Sequence, residues 1–159
     1  MRLILLCGLP GSGKTTPAKR LAAELPAVRL CPDEWLAHLG IDLYDEEARD
    51  RLEQLLWLHA QDLLKLGQTV ILEFGFWSRA ERDELRRAAH ALGAAVELRY
   101  LAAPLDELCR RLESRNEAPD PINREQLEQW ATLFEAPTPD EISHFDKPER
   151  DGYRATRDR

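Results

Sequence analysis

The chain has 159 residues, 43% of them hydrophobic and 32% charged, which suits one compact domain with a real core and leaves too little length for several. A net charge of −7 and a pI near 5.2 provide no overall positive field, which argues against nucleic acid or an anionic membrane as the main partner. Cys7, Cys31 and Cys109 are widely spaced and odd in number, fitting neither a disulfide framework nor a zinc site, so reduced thiols in the cytoplasm are expected.

Residues 2–7, RLILLC, form a continuous apolar run ended by Gly8, as in a central parallel strand covered on both faces. The run is too short for a signal peptide, and no other segment is long enough to cross a membrane. A helix is expected over about 13–25, with Pro17 tolerated in its first turn. AVRL, 27–30, reads as a second strand. Leu52, Leu55, Leu56, Ala60 and Leu63 recur at helical spacing between Asp45 and Leu66, and Gly67 supplies a stop. TVILEF, 69–74, is a third strand. Ser78 and Glu81 make a capping-box pattern for a helix that runs to Gly93. A fourth strand follows at 94–101, then a helix opened by Pro104, then one capped by Asn123 and Gln126. ISHF, 142–145, is a candidate edge strand, and 146–159 reads as a polar tail. Strands alternating with helices predict an α/β fold with right-handed crossovers, occupying residues 1–145.

GLPGSGKT, residues 8–15, fills every fixed position of G-x-x-x-x-G-K-[ST] between a strand and a helix. Its glycines let backbone N–H groups converge on phosphate oxygens, and the helix that follows presents its positive end to the same anion. Gly8, Pro10, Gly11, Ser12, Gly13, Lys14, Thr15 and Thr16 are the expected nucleotide-binding residues. Lys14 would reach the β- and γ-phosphates and Thr15 would ligate Mg²⁺. Glu73, ending the third strand, is the candidate second acid for the metal, with pairing to a nearby arginine as the alternative. No N-K-x-D segment is present to recognise guanine, so ATP is the expected nucleotide.

Arg111 and Arg115 share a helix face at i, i+4 spacing and would close over the transferred phosphate, with Arg110 beside them; a solvated basic face is the alternative. Residues of about 115–123 read as a small lid. Asp33 follows the second strand in VRLCPDEWL, and two roles are open to it: general base for an acceptor hydroxyl, or N-cap of the next helix. Glu34, Trp35, Phe76 and Trp77 are weaker candidates for the acceptor side, with Phe74, Trp57 and His59 also near in pattern. His38, His90 and His144 show no partner pattern.

GLPGSGKTT, PDEW after the second strand, EFGFWSRAERDEL after the third and RRLESRN on the later helix together resemble the P-loop kinase-like ATP-binding proteins grouped with the AAA-type ATPases. That group includes polynucleotide 5′-kinase, chloramphenicol phosphotransferase, zeta toxin and gluconate kinase. The resemblance extends over roughly residues 1–135. It implies a three-layer P-loop fold with a mostly parallel sheet of four to five strands and a small helical lid. It also implies transfer of the γ-phosphoryl group of Mg-ATP to a hydroxyl, with Asp33 as base and Arg111 and Arg115 as lid arginines. Glu73 stands where the group more often has Asp. The acceptor-side residues match no relative of known substrate, so a small-molecule hydroxyl is the expected acceptor. A polynucleotide 5′-hydroxyl kinase and a non-catalytic ATP-binding regulatory module remain as alternatives. No obligate protein partner is indicated.

Overall fold

A computed structural model describes residues 1–115 and 122–148, the side chain of Arg115 excepted. The expected lid therefore lies largely outside the described residues, as do Arg115's side chain and most of the tail.

The four strands are β1 (Arg2–Cys7), β2 (Ala27–Leu30), β3 (Thr69–Gly75) and β4 (Ala95–Tyr100). They form one parallel sheet in the order β2-β3-β1-β4. Because side chains alternate along a strand, the central strands β1 and β3 feed two cores. Leu3, Leu5 and Cys7 of β1 and Val70 and Leu72 of β3 face one side. There they meet Leu36 of α2 (Pro32–Leu39), the buried stripe Leu52, Leu56, Ala60 and Leu64 of α3 (Glu46–Lys65), and Leu85 and Ala89 of α4 (Arg79–Ala91). Ile4, Leu6 and Ile71 face the other side and pack on Ala18 and Leu21 of α1 (Thr15–Glu24). Sheet and helices on both faces give the expected three layers. By the same alternation Glu73, two residues after Ile71, belongs to the α1 side.

The chain continues through α5 (Leu105–Arg115), α6 (Arg124–Leu133) and α7 (Pro139–Ser143). The Asn123–Gln126 capping box forms with both of its hydrogen bonds. Ser78 likewise accepts from the Glu81 N–H at 3.1 Å. No described helix is long and apolar enough to cross a membrane.

Two expectations are corrected. ISHF is not a strand: Thr138 caps Glu141 N–H at 3.2 Å and Pro139 starts a short helix, so the T-P-D-E pattern, an N-terminal capping signal, governs this segment. Asp33 is not an N-cap, because Cys31 holds that position and Pro32 is the first helical residue, placing Asp33 in the first turn. β3 lies between β1 and β2, so Cys7 at the end of β1 and Cys31 just after β2 are one strand apart.

Candidate active site

The loop between β1 and α1 is a backbone structure. Gly8 N–H donates to the Gly75 carbonyl at 3.0 Å, tying the loop to the end of β3. Gly8 has φ +152°, and a Cβ there would come within 2.7 Å of the Leu101 carbonyl and of Ser12 Oγ. Gly11, at φ +81°, lies against α5, where a Cβ would be 3.1 Å from the Leu108 carbonyl and from Leu112 Cγ. Both positions need glycine for conformation and for space.

Lys14 turns back over this loop, its Nζ donating to the Gly8 and Leu9 carbonyls at 2.8 and 2.9 Å and to Ser12 Oγ at 3.4 Å. Burial lowers its pKa, against the pull of the Glu73 and Asp33 charges, which act on it from β3 and from the first turn of α2. Arg111 arrives from α5: it donates to the Gly11 carbonyl at 3.3 Å, pairs with Glu107, and lies 3.4 Å from where a Gly13 Cβ would be. Pro10 is half-buried and Thr16 exposed.

Thr15 Oγ1 donates to Glu73 at 2.5 Å. Glu73 is 7% exposed, and its other oxygen accepts from Arg29 Nε at 2.9 Å. Glu73 is thus paired with an arginine, the alternative open to it in the sequence, and also lies beside the loop threonine. The same Arg29 forks onto Glu34 at 2.8 and 3.0 Å, and Lys19 adds a 3.4 Å contact. Burial opposes the Arg29 charge, but the hydrogen bonds to Glu34 and the charge of Glu73 outweigh it and raise its pKa. Those same bonds hold Glu34 below the ordinary carboxylate range. A charged residue within the short apolar strand VRLC was the signal for Arg29.

Asp33 accepts from Arg49 of α3 at 2.5 Å, and the guanidinium also donates to the Leu43 carbonyl at 3.2 Å and to Glu53 at 3.4 Å. Burial raises the Glu53 carboxyl to about 7, with Arg49 acting in the opposite direction. Beyond Leu43, Tyr44 stacks on Trp130 of α6 with centroids 6.5 Å apart, and Trp130 meets Trp77 at 5.9 Å. Trp77 closes the circuit, since its Nε1 lies 3.2 Å from where a Gly75 Cβ would be, next to Gly8. Asp33, Arg49, Tyr44, Trp130 and Trp77 are thus linked contact by contact from the first turn of α2 to the turn after β3, beside Gly8. Arg49, Tyr44 and Trp130 were not picked out from sequence, because their partners lie on other elements.

The remaining aromatic candidates separate. Phe76 is 1% exposed and stacked on Phe74 at 5.4 Å, so its side chain belongs to the core. Trp35 is exposed, and Trp57 packs against the core.

A P-loop fold with a lysine, a threonine–acid pair and an arginine on one phosphate loop is the architecture of the P-loop kinases. The AAA domain family AAA_33 matches residues 3–137, and the chain belongs to that family. A probable adenylyl-sulfate kinase of Aeropyrum pernix is 33% identical over 116 residues, which are 69% of this chain and 63% of that protein. Among solved structures, one from the Pnkp1/Rnl/Hen1 RNA repair complex has a TM-score of 0.70 at 21% identity, covering 91% of this chain and 46% of that one. Chaetomium thermophilum Kti12 in complex with ADP-AlF3 has a TM-score of 0.69 at 23% identity, with 92% and 86% covered. The chain thus spans less than two thirds of the adenylyl-sulfate kinase relative and less than half of the RNA repair chain.

Proposed function

We propose that the protein is an ATP-dependent kinase that phosphorylates a hydroxyl of a small molecule, with Asp33 as general base. One observation carries this reading: Lys14 and Arg111 converge on a single phosphate loop, while the charge of Asp33 acts on Lys14 from the first turn of α2. The acceptor hydroxyl gives its proton to the Asp33 carboxylate as its oxygen bonds to the γ-phosphorus. The bond from that phosphorus to the β–γ bridging oxygen breaks, and its electron pair leaves on ADP. Lys14, Arg111 and Arg115 offset the charge on the transferred group.

Thr15 and Glu73 suit Mg²⁺. Both offer hard oxygen donors, and the Thr15 hydroxyl, spending its proton on Glu73, keeps its lone pairs for a cation. The ion would be held there with the nucleotide phosphates and would neutralise their charge.

The acceptor side supports an uncharged or cationic molecule with a planar or apolar ring face. Tyr44, Trp77 and Trp130 offer stacking surface. Arg49 is matched by Asp33 and Glu53, and Arg29 by Glu34 and Glu73, so both guanidiniums are committed within the protein. An anionic acceptor would have to break one of these pairs.

The test is an ADP-release screen with adenosine, kanamycin, gluconate, adenylyl sulfate and a 5′-hydroxyl oligonucleotide. Release stimulated by the neutral or cationic ring-bearing acceptors is the expected result. Stimulation by the oligonucleotide would favour the polynucleotide kinase reading, for which the fold likeness to the RNA repair chain speaks. Slow hydrolysis indifferent to every acceptor would favour the regulatory ATP-binding module.

A further inference from the structure

Arg82 of α4 is fully buried, and so, at 1% exposure, is Glu141 of α7. The two form a forked pair: Arg82 Nε and one terminal nitrogen donate to the two Glu141 oxygens at 2.6 and 2.9 Å. The other terminal nitrogen donates to the Phe76 carbonyl at 2.8 Å. Stability alone is a poor reason for such a pair, since well-packed apolar residues of similar volume often serve a core equally well. What an apolar pair cannot supply is the bond to Phe76.

Phe76 needs it. At φ +50° it is the one non-glycine residue with positive φ among those described, a conformation that its Cβ disfavours. Its carbonyl is fixed from two directions, by Arg82 and by the Cys7 thiol at 3.4 Å. The thiol is a weak donor, so Arg82 is the main restraint. One peptide earlier, the Gly75 carbonyl accepts from Gly8 N–H at 3.0 Å, and the Gly8 carbonyl in turn holds Lys14 at 2.8 Å. Hydrogen bonds and adjoining peptides thus lead without a gap from Glu141 through Arg82, Phe76, Gly75 and Gly8 to the lysine of the phosphate loop.

We propose that Arg82 and Glu141 are a positioning pair for the nucleotide site, through which α7 holds the turn after β3 in the shape on which the phosphate loop rests. Glu141 lies beyond residue 137, where the family match ends. The pair touches neither nucleotide nor acceptor and acts through the backbone. It depends on the phosphate loop binding nucleotide, and not on Asp33 being a base.

The test separates positioning from stability by comparing two variants for thermal midpoint and for affinity toward a fluorescent ATP analogue. Arg82→Met with Glu141→Leu replaces the pair by apolar volume. Arg82→Lys keeps a charge for Glu141 but lacks the fork that reaches both Glu141 and the Phe76 carbonyl. A folded variant is expected to bind the analogue about tenfold more weakly, as loss of one buried hydrogen bond to a charged donor predicts. Affinity within about twofold of the parent in a folded variant would overturn the proposal, a difference too small for such a bond. Failure of both variants to fold would assign the pair to stability alone and overturn it equally.

Discussion

On the phosphate-loop side of the sheet edge the backbone forms the site, and on the side proposed for the acceptor the side chains do. Around Gly8 and Gly11 the peptide passes so close to Leu101, Leu108 and Ser12 that no Cβ fits, and Lys14 is held by carbonyls of its own loop. Asp33, Arg49, Tyr44, Trp77 and Trp130 instead come from separate segments and meet only through tertiary packing. On the proposed kinase reading, the difference teaches why one phosphate loop can serve many acceptors: the donor grip would be fixed by local backbone conformation, while the acceptor wall could change one side chain at a time.

The comparison breaks most visibly at Lys14. Lys14→Ala should lower nucleotide-dependent turnover by about 10²–10³-fold with every acceptor, because the lysine belongs to the donor side alone. Steady-state ADP release checks this, and a loss confined to one acceptor would contradict the division. Trp130→Ala should do the reverse, raising the acceptor KM about tenfold while leaving the KM for ATP unchanged. Titration of each substrate in turn checks that prediction.

A further expected effect is on stability. Burial raises the Glu53 carboxyl from an ordinary 4.5 to about 7. Between those values the folded protein keeps a proton that the unfolded chain has lost. Stability therefore falls as pH rises through that window, by at most about 3 kcal/mol. Glu53→Gln should flatten this part of the profile, and thermal midpoints measured across the window will show whether it does. An unchanged slope would place the titrating group elsewhere.

The fold was largely legible in the chain because hydrophobic period, glycine stops and capping pairs agreed, as at Ser78–Glu81 and Asn123–Gln126. Strand order was less so: nothing in RLILLC or AVRL states that TVILEF lies between them, since pairing of parallel strands is decided by crossovers. ISHF looked like a strand because Ile142 and Phe145 are apolar in an otherwise polar stretch, but two apolar residues in four are weak evidence, and the capping threonine before them outweighed it. In the candidate site, GLPGSGKT was legible because its function lies in local backbone conformation. Arg29, Arg49 and Arg82 were not, because an arginine takes its role from the carboxylate it meets, and Glu73, Asp33 and Glu141 are respectively 44, 16 and 59 residues away in sequence. Phe76, read as a wall of the acceptor pocket, contributes its carbonyl instead.

The proposal that Asp33 is the base meets its most direct test in Asp33→Asn, measured by ADP release against titrated ATP with the best acceptor from the screen. The expected result is turnover lowered by about 10²–10⁴-fold with the KM for ATP nearly unchanged, because asparagine keeps the shape of the side chain and loses its capacity to take a proton. Turnover equal to that of the parent protein would contradict the assignment of Asp33 as the base.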